Sequence, residues 1–339
     1  MKTTKRILSI LLIAALLCTL MGCAQTAPVQ SEAPAQSEAP AEAPAQAKVY
    51  KVGILQQLEH QALDAATEGF EDALRELLGE GGVEFDYQNA QNDPTNCATI
   101  ATKFVNDDVD LIMANATTAL QAASAATGDI PIVGTSITDY VSAGVVDSND
   151  APGRNVTGAS DLAPIDQQVE LLASLCPDAK TVGILYCSAE ANSVFQADTA
   201  KPALEAKGLA VNVYTVSDSN DIQAVVTKTV SEVDAIYIPT DNTLADSMEI
   251  VKNLTVPAGI PVIAGEENMC AAGGLATLSI SYYSMGHSAG EMAYELLVNG
   301  ANPATTPIRY AEEVTLKYNA EIAELIGWAI PEGMTAIGE

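Results

Sequence analysis

The sequence predicts an α/β fold of two lobes, each a doubly wound parallel sheet with a cleft between them, and three observations carry that prediction. Short apolar runs of β character alternate with amphipathic helical stretches from residue 48 onward. The alternation restarts after Asn155-Val156-Thr157-Gly158, so the pattern is made twice. Several apolar runs also stop in a cluster of small polar residues before the next helix begins. In a parallel sheet such a junction is the carboxyl end of a strand, where free backbone N–H groups of the following helix receive ligands.

Taken in order, Val49 to Leu55 reads as the first strand and ends in Gln56-Gln57-Leu58-Glu59-His60. Leu63 to Leu78 reads as a helix, with Leu63, Ala66, Phe70, Leu74 and Leu77 on one stripe and Gly79 just past its end. Val83 to Tyr87 is the next strand, and Cys97 to Val105 a helix after an Asn/Asp-rich turn. Val109 to Ala114 reads as a fully buried strand ending in Asn115-Ala116-Thr117-Thr118, before an Ala-rich helix. Ile130 to Val133 ends in Gly134-Thr135-Ser136-Ile137-Thr138-Asp139.

The second run has a helix from Ile165 to Leu175 and a strand from Thr181 to Tyr186, ending in Cys187-Ser188-Ala189-Glu190-Ala191-Asn192-Ser193. A helix to about Lys207, the strand Ala210 to Thr215 and the helix Ile222 to Val230 follow. Ala235 to Ile238 then stops at Pro239-Thr240-Asp241-Asn242-Thr243, ahead of a helix from Leu244 to Leu254. Pro261 to Ala264 ends in Gly265-Glu266-Glu267, Leu275 to Ile280 is β-like, and Met285 to Leu297 is a helix that returns to the first lobe. A short β segment and a small helix near Glu321 to Leu325 finish the chain. The expected division is 48–158 with about 278–303 as lobe 1, and 159–277 with about 304–339 as lobe 2. Facing strand ends then form a cleft, a common ligand site. Gln57, Glu59, Thr117, Thr118, Ser136 and Thr138 line one wall. Ser188, Asn192, Ser193, Thr240, Asp241, Asn242 and Glu266 line the other.

The first 22 residues are read as a targeting segment outside the fold. Lys2, Lys5 and Arg6 form a basic start, and Ile7 to Met21 is an apolar stretch too short for a comfortable membrane span. It closes with Leu20-Met21-Gly22-Cys23, which resembles the bacterial lipobox, and that resemblance implies lipidation of Cys23. Residues 23–47 then form a tether: Gln-Ser-Glu-Ala-Pro-Ala occurs at 30–35 and again at 36–41, with nothing large and apolar to bury. The expectation is an exported protein held by lipid on the outer face of the cell membrane.

Lys and Arg number 15 against 44 Asp and Glu, a net charge of −29. Without residues 1–22, which hold three basic residues and no acid, the balance is 12 − 44 = −32. Such a surface repels phosphate backbones, so nucleic-acid partners are excluded. Cys97, Cys176, Cys187 and Cys270 show no metal-ligand spacing, so no metal and no cofactor are expected, and the thiols are read as buried and free. His60 and His287 are the only histidines, and no nucleophile motif, zincin motif or phosphate loop occurs. The chain is read as a non-enzyme, with Glu59 lining the cleft and His60 positional. Aromatic residues make up 5% of the chain, which disfavours a cleft built on sugar-stacking platforms. Tyr140 and Tyr186 remain open as either core residues or a wall for an aromatic ligand.

Six segments stand together in order: Gln56-Gln57-Leu58-Glu59-His60 with Ala62-Leu63-Asp64; Tyr87-Gln88-Asn89-Ala90; Asn155-Val156-Thr157-Gly158; Ser188 to Ser193; Tyr237 to Thr243; and Ala264-Gly265-Glu266-Glu267. The chain resembles, over roughly 48–330, the ABC-transporter substrate-binding lipoproteins of the tryptophan/tyrosine type. The resemblance implies a type I periplasmic-binding-protein-like fold with a hinged cleft, a membrane permease and an ATPase as partners, and an amino acid, often aromatic, as ligand. It departs from the family at Gln61, where proline is usual, and at Cys187, where asparagine is common. For an α-amino acid, hydroxyls and helix N-termini suit the carboxylate, which assigns Thr117 and Thr118 first and Asn192 and Ser193 second. Asp241, then Glu266, suits the ammonium, because a buried charge needs a partner. The rival readings are a receptor for a sugar or nucleoside and a ligand sensor for a membrane kinase.

Overall fold

A computed structural model of the protein describes residues 48–311 and 313–338. The targeting segment, Cys23 and the tether lie outside the described residues.

The first sheet is built from β1 (Tyr50–Gln56), β2 (Val83–Asn89), β3 (Leu111–Asn115), β4 (Ile132–Ile137) and β5 (Val156–Ser160), with α1 (Gln61–Leu78), α2 (Pro94–Asn106) and α3 (Thr117–Ala126) as crossovers. The second run follows as α4 (Ile165–Leu175), β6 (Thr181–Cys187), α5 (Ala191–Ala206), β7 (Ala210–Val216), α6 (Ile222–Thr229) and β8 (Ala235–Ile238). It continues through α7 (Asn242–Asp246), α8 (Met248–Ala258), β9 (Val262–Ala264), α9 (Glu267–Gly273) and β10 (Ala276–Ser279). The chain ends with α10 (Tyr282–Leu297), β11 (Arg309–Tyr310), β12 (Thr315–Tyr318), α11 (Ala320–Leu325) and β13 (Thr335–Ala336).

Strand order is β11-β5-β4-β3-β1-β2 in one sheet and β13-β12-β10-β9-β8-β6-β7 in the other. The pairings are parallel apart from β10 with β12, which is antiparallel. This is the expected pair of doubly wound lobes, with one strand reversed. Central strands such as β3, β4 and β8 are buried along their whole length, and each sheet is covered by a core on both faces.

The chain passes between the lobes after β5, after β10 and after β11, which corrects the expected division in three places. Val156–Ser160 is a strand of the first sheet, where the sequence shows only a polar Asn-Val-Thr-Gly motif. Residues 276–279 belong to the second sheet, and 309–310 pair with β5 in the first, where Ile308 also joins the core. The helix expected from Leu244 to Leu254 is two helices, because Ser247 (φ −116°, ψ 13°) leaves the helical conformation.

Lobe 1 is closed by α1 lying against α10, where glycines let the backbones touch. A Cβ on Gly286 would sit 1.9 Å from the Ala66 carbonyl oxygen, and one on Gly69 2.1 Å from that of Tyr283. Gly286→Ala is therefore expected to destabilise the protein by about 1–3 kcal/mol or more, the range for overpacking a close contact. Urea unfolding checks this, and an unchanged midpoint would show that the helices part freely.

Candidate functional site

The carboxyl ends of the two sheets face each other and enclose a cavity of about 10 Å³. His60, Leu63 and Ser136 come from lobe 1, and Asn192, Thr240, Asp241, Asn242, Glu266 and Met269 from lobe 2. Asp161 and Tyr282, beside two of the chain crossings, complete the wall with Ala62 and Ala245. The space is about that of one water, so anything larger enters only as the lobes part. An adjoining groove of about 320 Å³ shares His60, Ala245, Glu266 and Met269 with the cavity and leads outward past Gln61 and Asp246.

Three carboxylates face this space, and among the described residues no Lys or Arg lines it. Asp241 sits on the turn between β8 and α7. Its Oδ1 accepts from the Leu244 N–H (2.8 Å) and its Oδ2 from the Cys187 N–H (2.6 Å). It is both the N-cap of α7 and a wall of the cavity, so capping and lining are not alternatives here. Burial, and then the nearby Glu190 carboxylate, push its pKa up to about 7. Glu266 caps α9 through the N–H groups of Asn268 and Met269, and burial pushes it up to about 7 as well. Asp161 accepts from the Thr138 hydroxyl (3.0 Å) and the Tyr282 hydroxyl (2.9 Å), and burial raises it from the ordinary carboxylate range.

Hydroxyls sit on the lobe 1 side. The Ser136 Oγ and the Thr117 Oγ1 are buried without a hydrogen-bond partner, as is the Thr135 Oγ1. Their backbone is unusual. Ser136 has φ 58° and Ala116 has φ 84°, both in the region that side chains avoid, at a cost of about 1–3 kcal/mol each. Strain and unpaired hydroxyls thus gather where β3 and β4 end.

Of the thirteen residues expected to line the cleft, Ser136, Asn192, Thr240, Asp241, Asn242 and Glu266 line the cavity, and Thr138 stands behind Asp161. Four others stand behind the wall. The Gln57 side chain accepts from the Thr118 N–H (3.2 Å) and donates to Asn92 Oδ1 (2.9 Å), while Ser193 is fully buried against the Thr240 carbonyl (3.4 Å). Thr117 begins α3 without reaching the cavity. Two expectations are corrected. Glu59 is exposed and takes the Tyr87 hydroxyl (3.4 Å) in a separate surface groove, whereas His60 is the residue turned inward. The reason is α1: its first turn fixes His60 as the N-cap, and the preceding residue points to the outer side. Ser188 is exposed, and its hydroxyl donates to the Val216 carbonyl (3.2 Å) away from the cleft.

Tyr140 is core. Its hydroxyl donates to the Ala159 carbonyl (3.0 Å), and its ring fills the space left by Gly134 and Gly158. Tyr186 is a partly buried residue packed on the lobe 2 core. The aromatic wall is Tyr282, which sequence reasoning missed together with Asp161, His60, Leu63 and Met269. Cys187 does not reach the cavity. Its thiol lies 3.7 Å from the Ser217 carbonyl within a core cluster, so the departure from the family pattern there leaves the cavity wall unchanged. Cys97, Cys176, Cys187 and Cys270 are all buried and free.

A family model described as ABC transporter substrate binding protein matches residues 51–338. A tyrosine-binding protein of Clostridioides difficile (strain R20291) is 39% identical over 276 residues, covering 81% of this chain and 80% of the relative. The ABC domain from Streptococcus pneumoniae in complex with L-Trp has a TM-score of 0.82 and 36% identity, covering 86% of this chain and 100% of that one. The ligand-free, open structure of a substrate binding protein from Clostridium difficile has a TM-score of 0.67 and 38% identity, over 85% of this chain and 99% of that one. At similar identity the chain is nearer in shape to the L-Trp complex, as a cleft with its lobes together requires. The chain belongs to the ABC transporter substrate-binding protein family and is the substrate-binding component of such a transporter.

Proposed function

We propose that the protein captures an L-amino acid, of aromatic type, by closing its lobes over the ligand, and presents the closed form to a permease driven by an ATPase. The observation that carries this reading is the pairing of unlike groups around one cavity. Acidic side chains without a basic partner stand on one side, and an unpartnered hydroxyl stands on the other. An α-amino acid brings the two charges that this arrangement lacks. Its ammonium would sit with Asp241 and Glu266, and its carboxylate with Ser136. Leu63, Met269 and Tyr282 would receive the side chain. The named relatives that bind tyrosine or L-Trp support the aromatic class.

Proteins of this family work outside the membrane, extracellular or periplasmic. Lipidation of Cys23, with residues 23–47 as a spacer, would hold the receptor beside its permease.

Calorimetry with L-tryptophan, tryptamine and indole-3-propionate tests the two-ended site. L-tryptophan is expected to bind, and each analogue, lacking one charged end, to bind at least tenfold more weakly. Equal binding of all three removes the amino-acid chemistry. A second expectation concerns Ser136→Ala. It should weaken binding by about 1.5–3 kcal/mol, the range for a hydrogen bond to a charged group, without lowering the stability of the ligand-free protein. The hydroxyl it removes has no partner to lose, so thermal unfolding and calorimetry on the same sample separate the two effects.

A further inference from the structure

Behind the cavity wall lies a buried carboxylate that touches no cavity space. Glu190, 3% exposed on the loop between β6 and α5, receives four hydrogen bonds from two consecutive residues of the facing turn. Its Oε2 accepts from the Asn242 N–H (3.1 Å) and Nδ2 (2.7 Å), and its Oε1 from the Thr243 N–H (2.8 Å) and Oγ1 (2.7 Å). Those same two side chains reach across the cleft. Asn242 Oδ1 lies 3.2 Å from His60 Nε2, and Thr243 Oγ1 accepts from Asn92 Nδ2 (3.1 Å).

The directions follow from the chemistry of the groups. Backbone N–H groups and the Asn242 NH2 already donate to the Glu190 oxygens, so the Thr243 hydroxyl spends its single proton there as well and shows a lone pair to lobe 1. Asn242 likewise turns its NH2 to Glu190 and its carbonyl oxygen to His60. Lobe 2 thereby presents two acceptors. Lobe 1 meets them with two donors, the Asn92 amide, itself oriented by Gln57 Nε2 (2.9 Å), and the His60 Nε2–H tautomer. Without the Glu190 charge, the hydroxyl rotates and the amide flips freely, and donor can face donor across the cleft.

We propose that Glu190 is a positioning residue for lobe closure: it polarises Asn242 and Thr243 as a two-point acceptor latch for Asn92 and His60, and so governs how long the closed form holds its ligand. This deepens the cleft-closure reading above and rests on it. The latch acts only after the lobes meet, so it belongs to ligand release rather than to encounter.

The test measures L-tryptophan and L-tyrosine release by stopped flow, and lobe separation by a fluorophore pair carried on non-natural residues at exposed Glu80 and Ser231. Glu190→Gln is expected to speed release roughly tenfold, the effect of weakening a few hydrogen bonds, with the on-rate changed less than about threefold. Thr243→Val and Asn92→Ala should each move release in the same direction, and Asn92→Ala added to Glu190→Gln should contribute less than about twofold further. All three should widen the lobe separation. If Glu190→Gln does not fold, the other two variants carry the test. Unchanged release with unchanged separation, or a loss lying wholly in the on-rate, overturns the latch. Should neither amino acid bind the parent protein while the variants still widen the separation, the ligand reading fails and the latch stands.

Discussion

Asp241→Asn is expected to weaken amino-acid binding by about 2–5 kcal/mol, the range for removing one partner of a buried charge pair. Asp241 is held firmly at the cavity, with backbone donors from Cys187 and Leu244 fixing both oxygens. An ammonium placed there meets a preorganised charge. The substitution also has a structural cost. Asparagine caps a helix well, so the Leu244 N–H keeps its acceptor. Its NH2 then faces the Cys187 N–H, and a buried donor left without a partner costs about 1–3 kcal/mol of stability. Unfolding of the ligand-free variant reads that second loss, and calorimetry on the folded fraction reads the first. A variant that loses stability yet binds as tightly as the parent would make Asp241 a cap and nothing more.

Proton release on binding is the second large effect expected. Asp241 and Glu266 are both pushed up to about 7, so near neutral pH the ligand-free protein holds part of a proton on each. A ligand ammonium favours the ionised form and expels that proton. Affinity is therefore expected to rise as pH is raised from about 5.5 to 8, with a limiting slope of about one decade per pH unit for each proton released. For stability the sign is the reverse. A carboxylate raised in the folded state binds more protons folded than unfolded, so stability is fully present below its unfolded value near 4 and falls as pH rises through about 7. The ligand-free protein should thus be more stable at pH 5 than at pH 8, and the stabilisation by ligand should grow over the same interval. Calorimetry at pH 6.5 in buffers of different ionisation enthalpy counts the protons directly. A heat that does not depend on the buffer would mean that no cavity carboxylate changes its charge.

Much of the fold was legible because buried strands and amphipathic helices leave a periodic mark. Ile165–Leu175 falls where its apolar spacing puts it, and Leu111–Asn115 is the expected unbroken buried run. Val156–Ser160 left no such mark, since Thr157 and Gly158 interrupt the apolar pattern. Gly158 is there for space: a Cβ would stand 2.1 Å from the Gly134 carbonyl oxygen and 2.4 Å from the Tyr140 hydroxyl. Losing that strand meant losing Asp161, which follows it directly.

The cavity residues divide in a similar way. Asp241 and Glu266 stand at strand ends followed by helices, so local rules reach them. Glu59 and Ser188 also stand at strand ends but face outward, because the side that a loop residue takes depends on how the next helix docks. Tyr282 enters the cavity only through the packing of α10 on α1, His60 meets Asn242 from the other lobe, and Glu190 acts through a turn 52 residues further on. No window of sequence contains those contacts.

One measurement bears most directly on the central claim: a thermal-shift screen of the protein against the twenty amino acids with common sugars and nucleosides. At about 100 times its dissociation constant, a ligand that binds the folded form adds roughly 2.7 kcal/mol of stability. A clear rise with tryptophan, tyrosine or phenylalanine, absent for the sugars and nucleosides, is the expected result. A rise confined to a sugar or a nucleoside would contradict the account, leaving a receptor whose carboxylates hold hydroxyl groups instead of an ammonium.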